Sequence, residues 1–194
     1  MFDYIEGKLV EKTPTYAVID CGGVGYLLHV SLTTYSQIGQ QELCKLYVHQ
    51  AIREDAHQLF GFANRAERET FRLLINVSGV GASTARMILS SLSATEIAEA
   101  VFNNQVATLK AVKGIGEKTA QRIIIDLKGK IDKENVSPDL FAGTHNTIRQ
   151  EALTALSLLG FPKNVAEKAL QKVLSSGSDS LTVEALIKQT LKVI

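Results

Sequence analysis

The chain has 194 residues, enough for two or three small domains, and its 45% apolar and 21% charged content is that of an ordinary globular protein without a disorder signature. No apolar run reaches the roughly 18 residues of a membrane-spanning helix and the N-terminus carries no signal-peptide pattern, so a cytoplasmic location is expected. The net charge of +1 hides a division: residues 1–62 carry four Lys/Arg against seven Asp/Glu, residues 63–133 eleven against seven, and residues 134–194 six of each, so the basic excess sits mid-chain.

Residues 1–63 read as β. Short runs with alternating apolar positions and β-branched or aromatic enrichment cover Tyr4–Val10, Tyr16–Asp20, Tyr26–Val30, Leu43–Val48 and Gln58–Phe62. Thr13-Pro14-Thr15 and Gly22-Gly23-Val24-Gly25 supply turns. Five short strands in this length predict a small closed barrel of the OB type. The Gly22–Gly25 cluster lacks a P-loop lysine and a following helix, which makes it a tight hairpin and not a phosphate loop. Arg53-Glu54-Asp55-Ala56 falls between the last two runs, in a projecting loop. Two adjacent carboxylates there would repel a phosphate backbone.

Residues 64–132 turn helical, and within them one short grammar occurs twice. Val77-Ser78-Gly79-Val80-Gly81 is followed by Ala85, and Val112-Lys113-Gly114-Ile115-Gly116 by Ala120, the equivalent glycines of the two copies lying 35 residues apart. The glycines permit positive φ and leave backbone N–H groups uncovered, while Val80 or Ile115 plugs into the core between flanking helices. Those N–H groups lie at the start of a helix, where amides and helix dipole together attract an anion such as a nucleic-acid phosphate. Ala85 and Ala120 allow close helix approach, and Ile88 and Ile123 return three residues later to the apolar face. This is the helix-hairpin-helix pattern of sequence-independent DNA binding. The expected DNA-facing set is Gly79, Val80, Gly81, Ser83 and Thr84 in the first copy and Gly114, Ile115, Gly116, Lys118, Thr119 and Arg122 in the second. Between the copies, Ser93-Ala94-Thr95-Glu96 predicts a capping box. Phosphate contacts of this kind set affinity and salt dependence without reading sequence.

Residues 133–146 contain Pro138 and Gly143 in polar company and read as a flexible linker. Residues 147–194 predict a three-helix unit: a stripe of Ile148, Ala152, Ala155, Leu156 and Leu159, a stop at Gly160, a second helix opened by Pro162 with Val165, Ala169, Leu170 and Val173, and a third carrying Val183, Leu186, Ile187 and Leu191. Such a unit has a thin core and leaves apolar surface for a partner. Its Leu159-Gly160-Phe161 turn is similar to that of small ubiquitin-associated domains. The expected architecture is therefore α+β and multidomain: barrel, tandem helix-hairpin-helix domain, linker and UBA-like domain.

Cys21 and Cys44 lack CxxC spacing, and His29, His49, His57 and His145 are too scattered for a metal site, so neither a metal nor a cofactor is expected. No Walker motif is present.

The whole chain resembles the RuvA family of bacterial Holliday-junction-binding subunits. The resemblance rests on Gly22-Gly23-Val24-Gly25-Tyr26, Arg53-Glu54-Asp55-Ala56 with Leu59-Phe60-Gly61-Phe62, the two hairpins, and Leu159-Gly160-Phe161. It implies a homotetramer, or two tetramers as an octamer, that holds a four-way junction open. It also implies recruitment of the hexameric ATPase RuvB through the C-terminal unit, with a RuvC-type resolvase in the larger complex, in DNA recombination and repair. By the same resemblance Glu54 and Asp55 are an acidic pin at the junction centre, and Leu156, Leu159 and Phe161 meet the motor. Two positions depart from the family pattern. Ser83 and Glu117 stand where the family often has lysine, which leaves more of the phosphate contact to backbone amides, Lys118 and Arg122. On this reading the chain is a non-catalytic subunit. The competing reading is a helix-hairpin-helix repair enzyme or nuclease accessory subunit, but the catalytic Asp of a glycosylase and the converging carboxylates of a nuclease are not apparent.

Overall fold

The alternation in the first third of the chain produces five strands in this computed structural model, which describes residues 2–39, 42–131, 144–175 and 182–193. The strands are β1 (Tyr4–Lys12), β2 (Tyr16–Cys21), β3 (Val24–Val30), β4 (Leu43–Ile52) and β5 (His57–Phe62). They close into a barrel in the order β1-β2-β3-β5-β4, antiparallel throughout except for the parallel β3–β5 pair. Ile5, Ala17, Ile19, Leu28, Val30, Leu46 and Val48 fill the interior, as a period of two requires. A bulge in β1 between Leu9 and Glu11 helps the strand bend around the closed sheet. Gly7 is needed where β1 crosses β2, because a Cβ there would lie 2.1 Å from the Asp20 carbonyl oxygen.

One element was not anticipated. Helix α1 (Leu32–Gln37) follows β3, capped by Ser31, whose Oγ accepts a hydrogen bond from Thr34 N at 2.9 Å. Six residues with one buried position give no apolar period to detect, although serine at the N-cap was the available signal.

Next come α2 (Arg65–Ile75), α3 (Ala82–Ser91), α4 (Ala94–Phe102), α5 (Val106–Lys110) and α6 (Glu117–Leu127). Asn64 caps α2, and the capping box of Ser93 and Glu96 opens α4, lowering the Glu96 pKa through bonds from the Ser93 backbone and hydroxyl. Phe71, Leu74, Ala85, Ile88, Ile97, Leu109, Ala120, Ile123 and Leu127 build the helical core.

The barrel and helices share that core. Phe60 and Phe62 leave β5 on the helical side and meet the Phe71 ring at centroid separations of 5.1 and 4.9 Å, and His49 packs on the same ring at 5.3 Å. Burial lowers the His49 pKa, with Arg72 and Arg68 adding to the effect. Beside this cluster, Glu67 of α2 is only 1% exposed. Its carboxylate accepts hydrogen bonds from the hydroxyls of Ser31 and Thr34, the latter at 2.6 Å. Thr34 Oγ1 in turn accepts from Ala63 N at 3.1 Å. Arg68, on the next position of α2, donates to the Asp3 carbonyl and carboxylate at 2.8 and 2.5 Å, which lowers the Asp3 pKa.

The chain divides into two units, Met1–Pro138 and Asp139–Ile194. Most of the segment expected to be linker, residues 133–143, lies outside the described residues, and helix α7 (Thr144–Leu158) begins within its last three positions. Helices α8 (Lys163–Ser175) and α9 (Val183–Leu191) complete the second unit around Ala152, Leu156, Ala166, Leu170, Val173 and Leu186. Gly160, at φ 95°, ends the first helix turn as anticipated, and Phe161 N donates to the Leu156 carbonyl. Three positions expected inside are not. Leu159 lies past the end of α7 and is 61% exposed, Ala166 takes the inward place assigned to Val165, and Thr190, bonded to the Leu186 carbonyl, takes that assigned to Leu191.

Desolvation raises the pKa of Glu67 above its ordinary value of 4.5, against smaller lowering by its hydroxyl donors. The folded state therefore holds the Glu67 proton more tightly than the unfolded chain. This contribution favours folding at low pH and declines as pH rises from 4.5 through the folded pKa. Glu67→Gln is neutral at every pH, so the Tm of the native protein is expected to fall relative to the variant across that window. A Tm difference that stays constant from acid to neutral pH would exclude the buried carboxyl as the source.

Candidate nucleic-acid interface

The two hairpins superimpose in their backbone parameters. Gly79 and Gly114 have φ of 90° and 85°. Gly81 and Gly116 are extended, at φ −84°, ψ 171° and φ −82°, ψ 166°, and each forms the N-cap of the outgoing helix, α3 or α6, without a side-chain cap. Val80 N donates to the Val77 carbonyl and Ile115 N to the Val112 carbonyl, both at 3.0 Å, while Ala85 N and Ala120 N donate back to Gly81 and Gly116 at 2.9 Å. Each turn thus has the same internal hydrogen bonds, and the amides of the first helical turn face outward.

The apolar plugs behave as anticipated. Val80 and Ile115 are 4% and 6% exposed, and Ala85, Ala120, Ile88 and Ile123 are fully buried. At all four glycines an added Cβ would meet nothing within 4 Å. The surface over both helix N-termini is therefore open, and a phosphate can reach the amides. Ser83, Lys118 and Arg122 are exposed beside these turns, and Thr84 and Thr119 are half-buried.

Two side-chain contacts were not foreseen. Arg122 Nη1 donates to Ser78 Oγ at 3.1 Å, so the outgoing helix of the second hairpin touches the turn of the first. Lys110 Nζ pairs with the Glu117 carboxylate at 2.7 Å. Glu117 is thus a partnered carboxylate at the first turn of a helix, where the dipole favours negative charge. Neither contact is visible in a linear pattern, because each needs the folded placement of a helix against another element. A third contact ties the first hairpin to the barrel: Arg86 of α3 donates to the Thr15 carbonyl in the β1–β2 turn at 2.9 Å.

The acidic pair lies elsewhere on the same unit. Strand β4 continues to Ile52, four residues beyond the expected run, and pairs Ile52 with His57. Only Arg53–Ala56 remain as the turn, closed by Arg53 N donating to the Ala56 carbonyl at 2.8 Å. Glu54 and Asp55 stand exposed at the tip of this hairpin, with no ion pair to absorb their charge among the described residues.

In the second unit the three expected partner positions separate. Leu159 is 61% exposed and Phe161 half-buried, but Leu156 is fully buried in the three-helix core. Leu156 therefore supports the surface from beneath, and direct contact through its side chain is not available. Leu158, 84% exposed next to Leu159, is the apolar surface residue that pattern reading missed. Its position near the end of α7 placed it off the inward stripe, which was the available signal.

The chain matches the family descriptions RuvA N terminal domain over residues 1–61, SAM-like helix-hairpin-helix tandem over 71–129, and RuvA, C-terminal domain over 147–194. It is 50% identical over 192 residues to the Holliday junction branch migration complex subunit RuvA of Christiangramia forsetii, covering 99% of both chains. Proteins of the same name from Azobacteroides pseudotrichonymphae, at 46% identity over 100% of both chains, and Cytophaga hutchinsonii, at 49% over 99% of both, are similarly related.

The conformations of the two glycines within a hairpin separate their roles. Gly114→Ala forces a Cβ into positive φ and is expected to cost about 1–2 kcal/mol of folding stability by thermal denaturation. Gly116→Ala, at negative φ and in open space, is expected to cost less. Equal losses would rule out backbone strain as the reason for Gly114.

Proposed function

This chain belongs to the RuvA family, and from that premise we propose that it binds four-way DNA junctions through the paired hairpins, independently of sequence. The observation that carries the reading is the coincidence of the two turns in backbone conformation, both open above a helix N-terminus. Two such anion sites on one rigid core suit the phosphates of a duplex better than any single ligand. Gly79, Gly81, Gly114 and Gly116 offer the approach, and Ser83, Thr84, Lys118, Thr119 and Arg122 line it.

The protein works as a homotetramer, singly or as two facing tetramers, with one subunit per arm. Glu54 and Asp55 form the pin. Exposed carboxylates on a short, stiff hairpin repel phosphates at close range, so they disfavour a continuous duplex across the centre and guide strands as they separate and re-pair. The residues 147–194 recruit a RuvB-type hexameric ATPase through Leu159 and Phe161, and a RuvC-type resolvase joins the larger assembly. The chain itself is not an enzyme: it shapes DNA while the partner hydrolyses ATP. It acts in the cytoplasm, where recombination and repair take place. No helix among the described residues is long and apolar enough to cross a membrane.

A competition gel shift tests the central point. At matched physiological salt, a labelled four-way junction is expected to resist competition by duplex of equal length, because phosphate-driven binding at fixed salt isolates the contribution of shape. Equal competition would reduce the hairpins to a general duplex grip and favour the accessory-subunit reading. Glu54→Ala combined with Asp55→Ala is expected to leave junction binding intact or tighter while altering motor-driven branch migration or raising affinity for plain duplex. Unchanged migration together with unchanged selectivity would remove the pin from the mechanism.

A further inference from the structure

The two hairpins share one backbone but differ sharply in charge. A shift of 35 positions superimposes Leu74 on Leu109, Val77 on Val112, Ala85 on Ala120 and Ile88 on Ile123, all buried in the common core. The same shift pairs Ile75, half-buried against the core, with the exposed Lys110, and the exposed Ser78 with Lys113, Ser83 with Lys118 and Met87 with Arg122. At every one of the four pairs the second copy has a cation and the first has none. The second copy's carboxylate, Glu117, offsets only part of this, through its 2.7 Å pair with Lys110.

The first hairpin has one cation in the corresponding span, Arg86, and its guanidinium is engaged with the Thr15 carbonyl of the barrel. It also receives one from the second copy, because Arg122 reaches across to Ser78. Lys113 is exposed in the turn itself, directly before Gly114.

We propose that the hairpins grip the two strands unequally. The second is an electrostatic anchor in which Lys113 adds a phosphate contact to that of Lys118, while Arg122, bonded to Ser78, lies between the two turns, and the first is a weaker guide that holds its strand mainly through backbone amides. This rests on the DNA-binding reading above and deepens it. The physical basis is that each neutralised phosphate releases counterions, so affinity from lysines falls with salt while amide contacts change little. An uneven grip lets one strand yield first when DNA is drawn across the subunit, with the protein remaining attached by the other.

The test uses the full-length protein and a synthetic four-way junction. Amide hydrogen exchange is followed over residues 76–84 and 111–119 as salt is raised. Protection of the first hairpin is expected to be lost at lower salt than that of the second. Lys113→Ala is expected to lower the steepness of log affinity against log salt by about 0.9 for each subunit engaged and to narrow the gap between the hairpins, whereas Ser83→Lys should raise it by about 0.9 per subunit and protect the first hairpin to higher salt. Simultaneous loss of protection in both hairpins, or a slope unchanged by Lys113→Ala, overturns the inference while leaving DNA binding in place. Absence of junction-dependent protection in either hairpin overturns the DNA-binding reading and this inference with it.

Discussion

The structure of the first unit depends on one shared core. Strand β5 ends at Phe62, α2 begins at Arg65, and the rings of Phe60 and Phe62 each pack across the junction on the Phe71 ring, at 5.1 and 4.9 Å. A barrel and a helical domain joined by a two-residue connection would ordinarily hinge. Here the apolar surface that each would need to bury alone is buried jointly, so bending the connection would open a cavity among three large rings. Glu67 and Arg68 reinforce the same seam from α2, one through the hydroxyls of α1 and the other through the start of β1.

A buried carboxylate is an expensive way to fasten two elements. Its burial disfavours the charged form, and only a set of well-placed donors offsets the cost. The return is directional. The Ser31 and Thr34 hydroxyls and the Ala63 amide form a small polar network that only one docking of α1 on α2 satisfies. Apolar packing of the phenylalanines supplies most of the attraction at the seam, while the network fixes its orientation. Since α3 is held to the same barrel by Arg86 and by Thr33, which donates to the Leu89 carbonyl at 2.7 Å, the first hairpin inherits that orientation.

What could be read from the sequence follows from the range of the forces involved. The barrel strands announce themselves by period-two alternation, and the hairpins by glycines whose positive φ no other residue adopts cheaply. The capping box of Ser93 and Glu96 is likewise confined to four residues. Features that need two distant segments were not visible: the Glu67 network spans more than 30 positions, the Arg122 contact with Ser78 more than 40. In the thin three-helix unit the pattern itself misled. Leu156 and Leu159 are both apolar at helical spacing, but Gly160 stops the helix between the core and the surface, so one is wholly buried and the other mostly exposed.

The proposed mechanism needs that fixed seam more than it needs any single contact. Amides at a helix N-terminus attract any phosphate, and carboxylates at a hairpin tip repel any phosphate, so neither group distinguishes one DNA from another by its chemistry. Discrimination has to come from where the attraction and the repulsion lie relative to each other. The tip that carries Glu54 and Asp55 is the end of the β4–β5 ladder, and β5 contributes Phe60 and Phe62 directly to the core that seats the hairpins. The acidic tip and the proposed phosphate sites are therefore carried by one continuous core. A loose barrel would let the carboxylates swing away from an unsuitable duplex and would forfeit the penalty they impose. On the proposed reading, with the barrel locked, a DNA that satisfies the hairpins must also accommodate these carboxylates, and shape is what such a protein selects.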